Sequence, residues 1–307
     1  MKHTFKEWFA ATRYWSFVVS SMPVLVTFCW LCSKHYVGLD AVQITNFVLA
    51  IVGAVVLHAA GNVISDWWDY RSGVDNENSC GADNLVKGRF AAKEYLVYAI
   101  CLFAAGIAIG LALTAICWHT WNNGWMLLAI GGAGVLLTAG YSFLKFHALG
   151  DLDIFLIFGV LECLGTAYVL TGHLVWESMC IALPVGMITV SVLHANNTVD
   201  TVSDGDAGIK TFAMLIGCKA SAILYIAYMV LPFVCLVANI LTGMMHWAAG
   251  IALFAAIQAV SNARRAAQFP KKGIEALSGL DIASSQLQMK FSLLLSAGLF
   301  IATFLPF

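Results

Sequence analysis

Long apolar runs that recur along the whole chain limit what this sequence can fold into. A run of about 17 to 25 apolar residues can cross a bilayer as a helix, and only helices or closed barrels satisfy the backbone polar groups in lipid. The composition agrees, because 61% of the residues are hydrophobic and 11% are charged, against roughly 25% charged residues in a soluble domain. We therefore predict an all-α fold: a polytopic membrane helix bundle of about nine transmembrane helices, forming a single domain over residues 1–307. The predicted spans are residues 14–33, 46–65, 95–117, 125–143, 153–172, 178–197, 220–241, 246–263 and 287–306.

The basic residues predict how the bundle is oriented. With about nine crossings, all of the 16 Lys and Arg residues except Lys34 fall on one side of the membrane. Positive residues are retained on the cytoplasmic side. We therefore expect an integral protein of a bacterial-type inner (cytoplasmic) membrane, with its N-terminus in the cytoplasm. The segment 264–290 is expected to be a basic, partly helical cytoplasmic loop that contacts anionic membrane lipid.

A first polar motif, GNVISDWWDYRSGVD, follows directly after the second apolar run. If the helix continues through it, Asn62 and Asp66 are four residues apart and Asp66 and Asp69 are three apart, so their side chains share one face. Asp75 follows closely. Carboxylates at the end of a membrane helix are costly, and this spacing predicts a preformed cluster of oxygen ligands.

A second motif, HANNTVDTVSDGDAG, follows another apolar run and places Asn196, Asp200 and Asp204 at four-residue intervals. Both motifs lie on the predicted cytoplasmic side, where one site can use both. Clustered carboxylate and amide oxygens favour Mg²⁺ over zinc, and Mg²⁺ bound in this way usually completes its coordination with substrate phosphates. The sequence therefore predicts a phosphate-bearing substrate at a membrane surface.

Several single residues have two interpretations. Lys145, in YSFLKFHALGDLD, either anchors the topology as a cytoplasmic cation or points into the Asp cavity. Lys210 lies beside a predicted helix start, where backbone N–H groups favour an anion. Glu162, within the fifth span, is either functional or a hydrogen-bonded packing residue. His58 and His194, each in an LHA triplet ahead of a motif, are either acid–base groups or helix-packing donors.

At these motifs the chain resembles the UbiA superfamily of intramembrane prenyltransferases, and within it the 1,4-dihydroxy-2-naphthoate polyprenyltransferases of menaquinone synthesis. The first motif of that family, NDYxDxxxGxD, is similar to SDWWDYRSGVD at 65–75. The second, NNxRDxxxDxxxGKxTLAxxLG, is similar to NNTVDTVSDGDAGIKTFAMLIG at 196–217. Val199 stands where the family has Arg, and Gln288 stands where a His is common.

The resemblance implies Mg²⁺-dependent transfer of a polyprenyl group from a polyprenyl diphosphate to an aromatic acceptor. The implied catalytic residues are Asp66, Asp69, Asp200 and Asp204. The implied metal ligands are Asn62, Asp66, Asp69, Asn197, Asp200 and Asp204. The implied substrate-binding residues are Asn62, Arg71, Tyr141, Lys145, Asn197 and Lys210.

Other functions remain open at this point. An acceptor other than the naphthoate, such as 4-hydroxybenzoate, a tetrapyrrole or a glyceryl phosphate lipid, fits the same motifs. A secondary transporter also has many helices with intramembrane carboxylates, but its coupling sites usually lie near the bilayer midplane on broken helices. Because the Asp motifs here lie at the ends of spans, the sequence favours an enzyme. No nucleic-acid partner is expected.

Overall fold

The computed structural model describes residues 3–75 and 83–306, apart from the side chain of Asp83. Within these ranges the regular elements are helices, and the only extended pairing is an isolated bridge between His147 and Lys210. The helices are α1 (Phe5–Ala11), α2 (Tyr14–Ser33), α3 (Ala41–Arg71), α4 (Asp83–Val86), α5 (Ala92–Trp121), α6 (Trp125–Phe146), α7 (Gly150–Thr171), α8 (Trp176–Val199), α9 (Thr201–Asp206), α10 (Phe212–Ile216), α11 (Cys218–Leu241), α12 (Ala256–Ala266), α13 (Phe269–Lys272) and α14 (Leu280–Ala302).

Seven of the described helices are long and apolar enough to cross a membrane, namely α2, α3, α5, α6, α7, α8 and α11. They coincide with the first seven predicted spans, so the all-α membrane bundle is confirmed. α12 continues the 3-10 helix Trp247–Ala255, and together with α14 it lies at the last two predicted spans. That these two segments also cross the bilayer stays a prediction.

The C-terminal helix begins earlier than predicted. We predicted a last span from residue 287, preceded by a basic, partly helical segment, but α14 starts at Leu280 and already contains Lys290. Ser284 and Gln288 are fully buried on the inner face of α14 beside Leu287. Because these inward-facing residues are polar, hydropathy alone placed the start of the last span later than the start of the helix. Lys290 is therefore a helix residue, and its Nζ donates to Oε1 of Gln258 at 2.6 Å.

Helix α3 is long enough to carry the first motif to the membrane surface. Its N-terminus is capped by Asp40, whose side chain accepts from the backbone N–H of Gln43 at 2.9 Å. The helix has 31 residues, which corresponds to about 46 Å at 1.5 Å per residue. The hydrocarbon core of a bilayer is about 30 Å thick. The helix is therefore longer than the apolar layer is thick, which allows its last turns, with the first motif, to reach the membrane surface.

The second motif spans a helix junction. α8 ends at Val199 and α9 begins at Thr201, with Asp200 between them. The spacing survives the junction, because the N–H of Asp200 donates to the carbonyl of Asn196 at 2.9 Å and the N–H of Asp204 donates to that of Asp200 at 2.8 Å. The second motif therefore keeps its polar side chains in a helix-like row.

A buried histidine fixes α8 against its neighbours. Nδ1 of His194 lies 2.6 Å from Oδ2 of Asp151 at the start of α7, and Nε2 lies 3.2 Å from the carbonyl of Ser221 on α11. His194 is fully buried. Of the two interpretations of His194, these contacts favour the packing role. The pairing sets the position of the second motif relative to α7 and α11.

Candidate active site

The first motif forms one buried face at the end of α3. The predicted continuation of the helix is confirmed, since α3 runs without interruption through Arg71. Asp66 is only 2% exposed, and Asp69 is also buried. The backbone N–H of Asp75 donates to the carbonyl of Asp69 at 3.1 Å. The structure therefore places three of the four acidic and amide positions of this motif as predicted, and folds Asp75 back onto them.

In the second motif, the two asparagines point in different directions. Asn197 and Asp204 are buried. Asn196 is exposed, and its Nδ2 donates to Oδ2 of Asp200 at 2.8 Å. In the predicted row of Asn196, Asp200 and Asp204, Asn196 therefore supports Asp200 through a hydrogen bond. The buried amide oxygen belongs to the neighbouring residue, Asn197.

The two motifs meet around Lys145. Its ammonium group interacts electrostatically with Asp69 of the first motif and with Asp200 and Asp204 of the second. Asp69 and Asp204 also interact with each other. Of the two interpretations of Lys145, this arrangement favours the site over a mere topological anchor. One cation at the end of α6 thus joins carboxylates that are more than a hundred residues apart in sequence.

The other predicted phosphate contacts, Lys210 and Arg71, differ in their position relative to the two motifs. The backbone N–H of Lys210 donates to the carbonyl of Phe146 at 3.3 Å, which brings the segment after the second motif beside Lys145. The side chain of Lys210 is exposed there. Arg71 is also exposed, and its guanidinium lies 5.9 Å from the centre of the Trp67 ring. Arg71 is therefore near the motif without being directed at its carboxylates.

Burial disfavours ionisation of the carboxyl groups of the second motif. Burial raises the pKa of Asp204 to about 6, while Lys145 opposes the rise and the neighbouring Asp200 adds to it. The pKa of Asp200 is raised for the same main reason, again against the influence of Lys145. A site of this kind favours binding of a further cation, which would relieve the repulsion between the carboxylates.

The donor chemistry of the cluster fits Mg²⁺. Asp69 Oδ1, Asn197 Oδ1 and Asp204 Oδ2 are buried oxygens without a hydrogen-bond partner. Buried acceptors of this kind are rare unless water, an ion or a ligand satisfies them. Within the described ranges, no three His, Cys, Asp or Glu side chains are close enough to hold an ion as they stand. A metal bound by these residues would therefore require their side chains to draw together.

A cavity of about 540 Å³ adjoins the motifs. Asn62 and Asn196, one helical turn before Asp66 and Asp200, line its polar end together with Tyr141. His58 also lines it, between the hydroxyls of Ser16 and Ser20 at 3.3 and 3.0 Å. Its apolar wall includes Val18, Val19, Ile154, Ile157, Phe158, Val192 and Leu193. The volume is typical of a small-molecule site.

Sequence reasoning missed Arg13, which we counted only as a cytoplasmic cation. Its Nη2 forms an ion pair with Oδ1 of Asp66. The contact raises the pKa of Arg13, chiefly through the charge of Asp66. Beside it, Nδ2 of Asn62 donates to the carbonyl of Thr12 at 2.9 Å and to Oγ of Ser16 at 3.1 Å. An arginine just ahead of the first apolar run was the available signal, but its partner is 53 residues away.

Glu162 keeps an unsatisfied atom inside the bundle. It follows a π-helical turn, Leu156–Leu161, within α7. Its Oε2 is buried without a hydrogen-bond partner. π-Helical turns inside α-helices are frequent at functional sites. The structure therefore does not supply the hydrogen bond on which the packing interpretation of Glu162 relied.

Comparison with known proteins decides the family. The sequence profile described as the UbiA prenyltransferase family matches residues 9–278. The chain belongs to the UbiA prenyltransferase family. With its apolar helices, this makes it an integral membrane protein. The family part of the resemblance is thus confirmed, whereas the naphthoate subfamily stays a prediction.

Similar proteins of this family occur in animals. The chain is 33% identical over 232 residues to the UbiA prenyltransferase domain-containing protein 1 homolog of Drosophila melanogaster, covering 74% of this chain and 63% of the relative. It is 30% identical over 223 residues to the human UbiA prenyltransferase domain-containing protein 1, covering 73% and 64%. The chain thus spans less than two thirds of the length of these relatives.

Solved structures of UbiA homologues share the fold. The apo structure of a homologue from Aeropyrum pernix K1 superposes with a TM-score of 0.69 at 16% identity, covering 92% of this chain and 97% of that one. A homologue from Archaeoglobus fulgidus, solved with GPP and Mg²⁺ bound, gives a TM-score of 0.65 at 15% identity, covering 94% and 99%. At this identity the likeness establishes the fold of the whole bundle.

Proposed function

We propose that this protein transfers a prenyl group from a prenyl diphosphate to an aromatic acceptor with the help of Mg²⁺. The observation that carries the proposal is the convergence of Asp69, Asp200 and Asp204 around Lys145, beside a largely apolar cavity. Such a site can hold the two ends of one substrate: a charged diphosphate and an isoprenoid tail. The Mg²⁺-and-GPP complex of the Archaeoglobus fulgidus homologue supports the same reading.

We assign metal binding and phosphate binding to different residues of the site. Asn62, Asp66, Asp69, Asn197, Asp200 and Asp204 would hold Mg²⁺. The metal would neutralise the diphosphate and promote its departure. Lys145 and Lys210, with Arg71 at the rim, would bind phosphate oxygens.

The cavity wall would keep water away from the prenyl cation that forms when the C–O bond breaks. Tyr141 lies at the junction, since it lines the cavity and interacts electrostatically with Asp69. An electron-rich ring carbon of the acceptor then attacks the cation, and a C–C bond forms. The ring loses a proton or a carboxyl group, so no covalent bond to the protein is required.

For the acceptor we propose 1,4-dihydroxy-2-naphthoate, on the strength of the motif resemblance. Its two hydroxyl groups make the ring electron-rich, so a positioned prenyl cation can react with it without a strong protein base. Prenylation with loss of its carboxyl group gives a demethylmenaquinone.

A specific observation favours a second candidate, an uncharged hydroquinone. Among the residues that line the described cavity, the charged side chains are Arg13 and Asp281. Arg13 is already paired with Asp66. Val199 replaces the arginine that the family motif has before its second-motif Asp. In the described structure a carboxylated acceptor therefore meets an acidic side chain, Asp281, and a cation that pairs with Asp66, whereas an uncharged ring needs no cation.

We place the site and the N-terminus on the cytoplasmic side. This rests on the distribution of basic residues and on the even number of spans that separates the motifs. The bacterial-type inner membrane stays a prediction from the same pattern, and the relatives reported above come from animals.

The test uses the purified full chain in detergent, with Mg²⁺ and a series of prenyl diphosphates starting at geranyl diphosphate. We expect Mg²⁺-dependent diphosphate release that requires an aromatic acceptor, with the prenylated product detected by mass spectrometry. 1,4-Dihydroxy-2-naphthoate, 1,4-naphthohydroquinone and 4-hydroxybenzoate, supplied side by side, separate the acceptor classes. Absence of product with every acceptor and chain length, combined with uptake of a solute by liposomes containing the protein, would favour a transporter instead.

A further inference from the structure

The residues that join α1 to the first turn of α2 contact Asn62 and Asp66, the first two polar residues of the first motif. Within this stretch, residues 12–16, which we call the strap, Arg13 forms the ion pair with Asp66. Thr12 and Ser16 accept the two hydrogen bonds from Asn62. The strap thus engages two of the side chains proposed for Mg²⁺, and it does so from outside the helix that carries them.

The two partners in the ion pair are held very differently. Asp66 is 2% exposed on a long, regular helix, whereas the Arg13 side chain is 40% exposed. The backbone of Arg13 has φ 54° and ψ 49°. Non-glycine residues rarely adopt this left-handed conformation, and they keep it only where the surroundings enforce it. Release of Arg13 would expose a side chain that is already partly in solvent and would allow this backbone strain to relax. Arg13 is therefore the partner that can leave, and Asp66 the one that stays.

Arg13 and a divalent metal would compete for the same carboxylate. A buried aspartate needs a positive neighbour, and in the described structure Arg13 provides it. A divalent ion on Asp66 would stand a few ångströms from the guanidinium, where like charges repel strongly in a partly buried site. Arg13 interacts with Asp69 and Asp75 as well, so its positive charge acts on all three carboxylates of the motif.

We propose that Arg13 is an internal counter-ion that occupies the place of the metal, and that metal binding releases the strap. The inference rests on the proposed metal site. Arg13 and Ser16 also line the cavity, together with Trp15. Release of the strap therefore moves one wall of the cavity, which couples metal loading to entry of the substrates. By thermodynamic reciprocity, weakening the strap tightens metal binding.

The first test measures Mn²⁺ binding by electron paramagnetic resonance, with purified protein in detergent and without any prenyl diphosphate. Arg13→Gln removes the competing charge, so we expect Mn²⁺ to bind about tenfold more tightly, within the usual range for coupled binding equilibria. Arg13→Lys keeps the charge without the planar fork and should give an intermediate affinity. Lys6→Gln, an equal charge change on the exposed face of α1, is the matched control and should leave the affinity unchanged. Equal or weaker Mn²⁺ binding by Arg13→Gln than by Lys6→Gln would overturn the counter-ion role.

The second test follows the strap in the wild-type protein and does not depend on the folding of Arg13→Gln. Hydrogen–deuterium exchange of peptides that contain residues 12–16 should become faster when Mn²⁺ is added. Unchanged or slower exchange would show that the strap stays in place and would contradict the proposal. Asp204→Asn distinguishes the metal site from the counter-ion role, because this substitution should abolish Mn²⁺ binding whether or not Arg13 is present. If the wild-type protein binds no Mn²⁺, the metal site and the counter-ion role both fail; Mn²⁺ binding that is insensitive to Arg13 and to the strap refutes the counter-ion role alone.

Discussion

Asp66 and Asp204 show how two residues of one type differ with their surroundings. Asp66 has an internal counter-ion in Arg13. Asp204 keeps a buried oxygen without a partner, and burial raises its pKa to about 6. The first residue therefore forms an ion pair within the protein, whereas the charge of the second is offset only in part, by Lys145.

Asp204→Asn should separate activity from stability. Loss of a metal-binding charge should lower Mg²⁺-dependent turnover by about 100-fold or more. The metal-free variant should be at least as stable as the metal-free wild type, because a buried charge that Lys145 compensates only in part has been removed. Turnover by product formation and thermal unfolding in EDTA are the two measurements. The matched control is Asp206→Asn on the exposed face of α9; comparable turnover by the two variants would refute the role of Asp204.

The raised pKa of Asp204 should make the stability of the metal-free protein depend on pH. This pKa is about 6 in the folded state and roughly 3.9 in an unfolded chain. Between these values the folded state binds more protons, so the free energy of unfolding should rise as the pH falls from 7 to 5. We expect this rise to be smaller in Asp204→Asn, measured by unfolding in EDTA. An identical pH profile for the two proteins would contradict the assignment.

Lys145→Gln should impair use of the prenyl diphosphate while leaving expression intact. Loss of one charge-assisted phosphate contact should lower kcat/KM for the diphosphate by about 100-fold. Lys93→Gln removes an exposed cation on the same predicted side of the membrane and serves as the control for topology. If the two variants lose membrane insertion and activity equally, Lys145 is an anchor and not a ligand.

At the scale of elements, the sequence predicted what depends on local periodicity and missed what depends on distant contacts. The continuation of α3 through its motif follows from the spacing of Asn62, Asp66 and Asp69. The early start of α14 was missed because Ser284 and Gln288 face the inside of the bundle. The ion pair of Arg13 joins two elements that only the packed fold brings together.

The element that aligns the second motif is α8, through His194. His194→Ala would leave Asp151 buried without its partner, which typically destabilises a protein by about 3–5 kcal/mol. We expect a clear loss of stability in denaturant unfolding, with activity falling in proportion to the folded fraction. His147→Ala, at an exposed ring beyond α6, is the control. Unaltered stability of His194→Ala would show that the buried pair does not hold α8.

At the scale of the whole molecule, the order of the spans brings both motifs and Lys145 to one membrane surface. α3, α6 and α8 each end there, because a single span, α5, lies between α3 and α6, and a single span, α7, lies between α6 and α8. The sequence predicted this arrangement from the alternation of apolar runs. It could not predict the shape of the cavity, which depends on side chains from several helices.

Cysteine labelling tests this topology. In a background without native cysteines, cysteines at Ser72 and Ser278 should react with an impermeant maleimide only from the cytoplasmic side. A cysteine at Asn122, between α5 and α6, should react only from the opposite side. All three positions are exposed in the structure. Labelling of positions 72 and 278 from opposite sides would contradict the proposed site, because the site requires both segments on the same side of the membrane.

The most direct test of the central claim is an anomalous diffraction measurement on crystals grown with Mn²⁺ and a non-hydrolysable prenyl thiolodiphosphate. We expect manganese peaks between the first motif, at Asp66 and Asp69, and the second, at Asp200 and Asp204. We also expect the diphosphate within reach of Lys145 and the prenyl tail in the cavity beside His58. Manganese bound away from these carboxylates, or a diphosphate held by other residues, would contradict the proposed site.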